Sequence, residues 1–383
     1  MRKGWEYKKL GEYVKEYSIK NKLNEEIPVY SVTNSQGFCK DYFGKEVASK
    51  DKSTYKIVPF GFFAYNPSRI NVGSIDWQAH EDRVIVSPLY NVFSVSAKLK
   101  QQYLLYYLKS PLTIHYIDSV ATGTVRLNLK FSMLKEFIVP VPSIAKQEYI
   151  VSELDKINEL IRLKKEQLKD FDNLAQSLFY EMFGDPVENE KGWKVKKLGE
   201  IGEFKNGLNF SKDENGHSIK FLGVSDFQNK KSIASDQLDC ISLSECVQED
   251  YLLKTGDIVF VRSNGKKELI GRSVKMYITE PTTYSGFCIR CRITDEKVDK
   301  DYIAILLKTP IIRQLMTNSG RGCNISNLNQ KVLNSIPIIL PPLSLQHLFA
   351  QRIEQIEREK TEVQKSIQDL ETLLASRMQY WFE

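Results

Sequence analysis

Two loops in each half of this chain carry side chains suited to touching a nucleic acid. In the first half, Ala64–Ser74 reads AYNPSRINVGS and offers Asn66, Ser68, Arg69 and Asn71 directly after an aromatic run. A second loop, Ala121–Asn128 (ATGTVRLN), offers Thr122, Thr124 and Arg126. In the second half the matching segments hold Arg262, Asn264, Lys266 and Lys267, then Arg272, and later Arg321 and Asn324 within Ser319–Asn327 (SGRGCNISN). Arg and Lys suit phosphates and guanine edges, Asn and Gln suit adenine, and Gly lets a backbone approach closely. Gln78 and His80 follow the first loop and extend the set. The plainer reading is that all of these are solvated turns between short strands.

The signatures of catalysis are missing. A self-contained DNA methyltransferase needs a Gly-rich turn after a strand for S-adenosylmethionine, and an Asn/Asp-Pro-Pro-aromatic motif. The nearest approach, Asn66-Pro67-Ser68-Arg69, lacks the second Pro and the aromatic. No carboxylate and Lys spacing of a Mg²⁺ nuclease stands out, and there is no GxxxxGK[ST] phosphate loop. The four histidines, His80, His115, His217 and His347, have no triad signature around them. Cys288-Ile-Arg-Cys291 is formally CxxC. It lies in GFCIRCRI, which alternates like a strand, and residues i and i+3 of a strand face opposite sides. No second Cys/His pair accompanies it, so free core or half-buried thiols are expected in place of a zinc site. The expectation is binding without catalysis, and without metal or cofactor.

These loops sit in an internal repeat. Gly4–Glu12 (GWEYKKLGE) matches Gly192–Glu200 (GWKVKKLGE), 188 residues on. Tyr103–Pro111 (YLLYYLKSP) matches Tyr302–Pro310 (YIAILLKTP), Gly123–Leu129 matches Gly322–Leu328, and Leu134–Gln147 matches Leu333–Gln346, each 199 residues on. A shared offset across three separate segments marks a tandem duplication. Each copy has short strands, such as Gly61–Tyr65 (GFFAY) and Asp257–Val261 (DIVFV), then a helix stopped by Pro, a Gly/Asn loop and a Pro-rich strand.

A long helix closes each copy. From Ser143 to Phe183 there is no Gly or Pro, and apolar residues recur at Ile150, Leu154, Ile157, Ile161, Leu168, Phe171, Ala175, Leu178 and Met182. Lys164 takes one slot of this heptad seam. Ser344–Phe382 carries a second seam at Phe349, Ile353, Ile356, Val363, Ile367, Leu370, Leu374 and Trp381, broken at Lys360 and Arg377. Each helix would span about 60 Å. Neither seam is stable in water, so the two are expected to pair as an antiparallel coiled coil with a lobe at each end. Packing of each helix on its own lobe is the alternative. Lys164 and Lys360 are candidates for setting the register.

At 383 residues, 42% hydrophobic and 27% charged, the chain has the size and composition of two or three globular domains. The boundaries expected are a lobe at 1–142, a helix at 143–186, a lobe at 187–342 and a helix at 343–383. Residues 1–143 carry a net charge of +7, 144–186 of −3, 187–342 of +4 and 343–383 of −2. A polyanion is drawn to the lobes and not to the helices. MRKGWEYKKL has no apolar core of a signal peptide, and no run of eighteen apolar residues occurs, so no membrane segment is expected. The six cysteines form no disulfide-like framework, which points to reduced thiols in the cytoplasm.

The order of these features resembles the specificity subunit of type I restriction–modification enzymes. The likeness rests on two copies opening GW-x₃-KLGE, a strand–loop such as FAYNPSRINVGS, a P-x-P turn, and a closing helix near Q…I…L…I, and it runs from Gly4 to Phe382. It implies an α+β fold of two similar target recognition domains separated by two long helices. Each domain would read one half of a bipartite, asymmetric double-stranded DNA site, and the helices would set the spacing. It implies two modification (methyltransferase) subunits as partners, restriction (translocase-nuclease) subunits that join them, and no catalytic residue in this chain. A pure scaffold or an orphan DNA-binding protein is the other reading.

Overall fold

The computed structural model describes residues 2–40, 51–121, 128–209, 212–227, 232–264, 269–318 and 328–383. It divides into two compact units, Met1–Gln167 with Val363–Glu383, and Leu168–Glu362.

In the first unit the opening strand, Glu6–Lys9, pairs antiparallel with Ile138–Val141. A four-stranded sheet has the order Val14–Glu16, Asn91–Val95, Phe63–Tyr65, Ile75–Trp77. Phe63, Ala64 and Tyr65 are all buried because this strand is covered on both faces. Successive side chains point to opposite sides. Phe63, Tyr65 and Phe93 therefore enter one core with Tyr103 and Leu104, whereas Ala64 and Val92 enter another with Val32, Phe38 and Val58.

The second unit repeats the plan. Lys194–Lys197 pairs antiparallel with Pro337–Leu340. A five-stranded sheet has the order Gly202–Asn206, Cys288–Ile293, Ile258–Val261, Ser273–Tyr277, Ser232–Ala234. Ile258 and Phe260 enter one core, Val259 and Val261 another. Cys291 goes with the former and Cys288 with the latter, as strand alternation requires. Burial pushes both thiols up to about 12, so they remain protonated at neutral pH and serve as apolar filler.

Motifs that repeat in sequence do the same work in both units. Leu10 and Leu198 of KLGE are fully buried, and their amides donate to Phe137 O and Ile336 O at 2.7 and 2.9 Å. The following Gly sits at a close approach: a Cβ on Gly11 would stand 3.2 Å from Lys135 O, and one on Gly199 would displace the Asn334 side chain, whose Oδ1 would be 2.0 Å away. Tyr103 donates its hydroxyl to Pro140 O at 2.7 Å and Tyr302 to Ile339 O at 2.9 Å. The Gln at the start of each long helix is a buried clamp. Gln147 accepts from Lys100 N at 2.9 Å and donates to Lys98 O and Pro142 O, both at 3.0 Å. Gln346 accepts from Asp299 N at 2.9 Å and donates to Pro341 O at 2.8 Å.

The long helices are Ile144–Phe183 and Leu343–Phe382, 40 residues each. In the first unit they run antiparallel: Glu153 bonds Arg377 and accepts from Trp381 Nε1 at 3.0 Å, while Lys165 meets Glu371 at 2.7 Å. In the second unit Asp172 pairs with Lys360 at 2.5 Å, and Phe179 and Phe183 pack on Phe349 at 5.8 and 5.1 Å. Lys360 thus bonds across the helix pair, whereas Lys164 bonds Gln167 on its own helix at 3.3 Å. The end of each helix completes the core of the other copy. Phe382 packs on Tyr103 and Tyr107 at 5.4 and 5.9 Å in the first unit, and Phe183 on Tyr302 at 5.2 Å in the second. Trp5 stacks on Trp381 at 6.5 Å, and Trp193 Nε1 donates to Phe183 O at 2.8 Å. Each Gly-Trp opening therefore seats on the end of a long helix. Among the described residues no helix is long and apolar enough to cross a membrane.

Candidate nucleic-acid interface

The loop after Phe63–Tyr65 is tied to itself. Asn66 N donates to Ser74 O at 3.1 Å, Ser68 N to the Asn66 side chain at 3.0 Å, and Arg69 N to Asn66 O at 3.0 Å. The short 3-10 turn Ile70–Val72 plugs Ile70 into the core and ends at Gly73, whose φ of 85° favours glycine. Ser68 and Arg69 are exposed, and Asn66 and Asn71 half-buried. Burial holds the Tyr90 hydroxyl above its usual value, against the opposing pull of the nearby Asn66 side chain and Arg69 charge.

The second loop of this copy starts beside the first. The helix Pro111–Val120, capped by Ser110, packs on the turn Ile70–Val72. At the far side of the loop, Leu129 N donates to Pro67 O at 3.0 Å, and Tyr65 donates its hydroxyl to Leu129 O at 3.0 Å. Two segments that the sequence presents separately are thus joined at one place.

The second unit builds the same joint. Leu328 N donates to Arg262 O at 2.8 Å, with Leu328, like Leu129, buried. Val261 N donates to Arg272 O at 2.9 Å, which brings Arg262 and Arg272 to the same strand end. Met316, on the helix Pro310–Asn318, lies against Gly271. Arg313 of that helix is held below its ordinary value by burial and by the nearby Arg272 charge. Arg262, Asn264 and Arg272 are half-buried. Residue type alone does not single out Arg313; the packing of its helix on this joint does so.

Seven of the expected contacts lie outside the described residues: Thr122, Thr124, Arg126, Lys266, Lys267, Arg321 and Asn324. Gln78 is placed inside the fold instead of on its surface. It is fully buried, accepts from His80 N at 2.6 Å and Glu81 N at 3.1 Å, and donates to Glu81 O. Its amide closes a turn and is spent there. A neighbouring element escaped the sequence reading: the hairpin of Ser31–Thr33 and Gly37–Cys39, whose tip exposes Asn34, Ser35 and Gln36. Ser74 Oγ donates to Val32 O at 2.5 Å, and Asp76 accepts from Phe38 N at 3.0 Å, so the tip is tethered beside the Asn66–Ser74 loop. A polar NSQG tip would have been the signal.

Each unit also has a groove between its first helix after the sheet and the start of a long helix. One, of about 840 Å³, is lined by Lys100, Gln102, Val151, Ser152 and Asp155 among others. The other, of about 530 Å³, is lined by Asp299, Asp301, Ala350, Gln351 and Glu354 among others. These five positions correspond one for one at the 199-residue repeat spacing.

A family model described as the type I restriction modification DNA specificity domain matches residues 2–170 and 190–372. The StySPI type I restriction enzyme specificity subunit of Salmonella potsdam is 24% identical over 297 residues, 73% of this chain and 64% of that protein. The MjaIX specificity subunit of Methanocaldococcus jannaschii is 25% identical over 296 residues, 71% of this chain and 66% of that protein. The chain thus spans slightly under two thirds of the length of these two relatives. A chain from a structural study of complex assembly and conformational transition of the type I R-M system shares the fold with a TM-score of 0.68 at 16% identity, over 99% of this chain and 97% of that one. So does the S subunit of a type I restriction-modification system from M. genitalium, with a TM-score of 0.52 at 15% identity, over 99% and 96%.

Proposed function

The chain belongs to the type I restriction modification DNA specificity family, and on that premise we propose that it is the sequence-reading subunit of a type I restriction–modification complex. Residues 1–142 and 187–342 act as target recognition domains, each reading one half of a bipartite, asymmetric site in double-stranded DNA. Segments 143–186 and 343–383 set the spacing between the half-sites and dock two methyltransferase subunits, which restriction subunits join. The chain contributes binding and positioning and no catalytic step, and works in the cytoplasm beside the DNA it reads.

The observation that carries this reading is the duplicated joint. In each copy, the end of a buried central strand is joined to the Leu that follows the second loop by one backbone bond, Leu129 to Pro67 and Leu328 to Arg262. A strand end held by such bonds and presenting Arg and Asn is what direct readout of base edges with flanking phosphate contacts requires. The joint is the same in both copies but its residues differ, Pro67-Ser68-Arg69 against Arg262-Ser263-Asn264, so the two half-sites differ.

The matched grooves support the partner assignment. Two copies of one partner need two equivalent surfaces, and the grooves occupy equivalent positions of the repeat. Val151→Arg and Ala350→Arg should each remove one methyltransferase subunit from the complex, read as stoichiometry by native mass spectrometry. Retention of both subunits by the double variant refutes the docking site. The test of the function is methylation-sensitive sequencing of DNA from cells expressing the chain with its modification subunits. Two unlike half-sites with a fixed spacer are expected; a contiguous motif, or no methylation, overturns the reading.

A further inference from the structure

One turn beside each joint exposes a large apolar side chain. In the first unit the turn Ser87-Pro88-Leu89-Tyr90 is closed by Tyr90 N donating to Ser87 O at 3.1 Å, and Leu89 is 77% exposed. In the second unit Ser285-Gly286-Phe287-Cys288 is closed by Cys288 N donating to Ser285 O at 2.8 Å, and Phe287 is 60% exposed. Each turn leads into the strand that lies between the first strand of its sheet and the buried central strand, so these are the same turn of the repeat. A single exposed apolar residue is ordinary on a protein surface. The same exposed apolar position in both copies, beside the same polar loop, calls for a common cause.

The turn is held firmly against the joint. Phe287 O accepts from Arg262 N at 2.8 Å, and Phe287 N donates to Ser285 Oγ at 3.2 Å. Phe287 also borders a cleft of about 370 Å³ with Leu208, Phe221 and Val224, so an apolar group placed there would be covered on more than one side. In the first unit Tyr65 pairs with Asn91 across adjacent strands, which sets Tyr90, next to Leu89, beside Asn66. Neither Leu89 nor Phe287 belongs to a buried core. Their side chains therefore add little to folding and project beside the residues proposed to read DNA.

We infer that Phe287 and Leu89 are specificity residues that recognise thymine through its 5-methyl group, one in each half-site. This rests on the DNA-reading function proposed above. Polar side chains read the donors and acceptors of base edges, and the thymine methyl is the one apolar group displayed in the major groove. An apolar tip fixed next to Arg262 or Asn66 can meet that methyl while its neighbour meets an adjacent base or phosphate. The cleft also has Asn209 and Ser285 on its rim, but its Leu208, Phe221, Val224 and Phe287 side chains offer a methyl apolar contact that cytosine's exocyclic amine would not gain.

The test replaces one methyl at a time. Duplexes carrying the mapped site are made with each thymine in turn exchanged for deoxyuridine, which lacks only that methyl. Affinity is measured for the complex of this chain with its methyltransferase subunits, with wild-type chain, Phe287→Ala, Phe287→Leu and Leu89→Ala. One deoxyuridine in one half-site should weaken wild-type binding about fourfold, the worth of one buried methyl. Phe287→Ala should weaken binding to the thymine duplex and abolish that deoxyuridine effect in one half-site only. Leu89→Ala should do so in the other, and Phe287→Leu should retain sensitivity. Indifference of the wild-type complex to every deoxyuridine overturns the inference, as does sensitivity surviving in Phe287→Ala. Normal DNA affinity with lost subunit assembly in Phe287→Ala would make the turn a protein contact and equally overturn it. A wild-type complex that binds no bipartite site refutes the proposed function itself; one that binds but ignores the methyls refutes only this inference.

Discussion

At the scale of single residues, what separates a contact from a structural residue is how much of its hydrogen-bonding capacity the fold has already used. Arg69 is exposed on a loop closed by backbone bonds that do not involve its guanidinium. Arg69→Ala should leave the melting temperature unchanged while weakening DNA binding by the complex, with the slope of log affinity against log salt falling by about one if the contact is to phosphate. Normal affinity and specificity in both Arg69→Ala and Arg262→Ala would remove the loops from the interface. Gln78 is the opposite case. Its amide serves three backbone groups of the turn at residues 78–81. Gln78→Ala should cost about 1–3 kcal/mol of stability, read by thermal or denaturant unfolding. From sequence the two residues look alike, since residue type does not say whether a polar group faces water or its own backbone.

At the scale of elements, the joints between strands and long helices carry the strongest constraints. Gln147 and Gln346 hold the start of each long helix to the preceding Pro-rich strand and to the loop before the short helix. Replacing either with Ala leaves buried backbone groups unpaired and should cost about 2–3 kcal/mol. Gln147→Glu should be nearly as harmful, because a carboxylate cannot donate to Lys98 O and Pro142 O. The helix pair has an acid-sensitive contact of its own. Hydrogen bonding from Arg377 holds Glu153 below its ordinary value of 4.5. A carboxylate whose pKa is lower in the folded chain stabilises above the unfolded value and loses that contribution as pH falls through the folded one. The stability gap between wild type and Glu153→Gln should therefore be full at pH 7 and close progressively below pH 4.5; a gap that is independent of pH would mean the contact is not ionic. The seams were readable as heptads, but only packing distinguishes Lys360, bonded across to Asp172, from Lys164, bonded along its own helix.

At the scale of the whole molecule, the repeat is closed reciprocally. The second long helix ends in the core of the first copy through Phe382, and the first ends in the core of the second through Phe183. Phe382→Ala should destabilise by about 3–5 kcal/mol, with loss of hydrogen-exchange protection concentrated around Tyr103 and Tyr107. Phe183→Ala should instead deprotect the region of Tyr302. Equal loss in both units from either variant would contradict the division. For recognition, exchanging residues 187–342 for those of a relative should change one half of the methylated site; a change in both halves would refute independent reading.

What the sequence by itself determined follows from short-range periodicity and self-similarity. The 199-residue offset follows from matched segments, and the two long helices and the short strands at Phe63–Tyr65 and Ile258–Val261 from side chains patterned every 3.5, 3.6 or 2 residues. The tertiary structure decided what those periods cannot express. It joined the loop at Asn66 to Leu129, placed Arg313 against Arg272, turned Gln78 inward and gave each helix end to the other copy. Apart from the local turn at Gln78, these are contacts between residues tens to hundreds of positions apart, made when apolar faces are buried and buried backbone groups find partners. A local pattern names the surface that must be covered, while the chain's long-range return selects the segment that covers it.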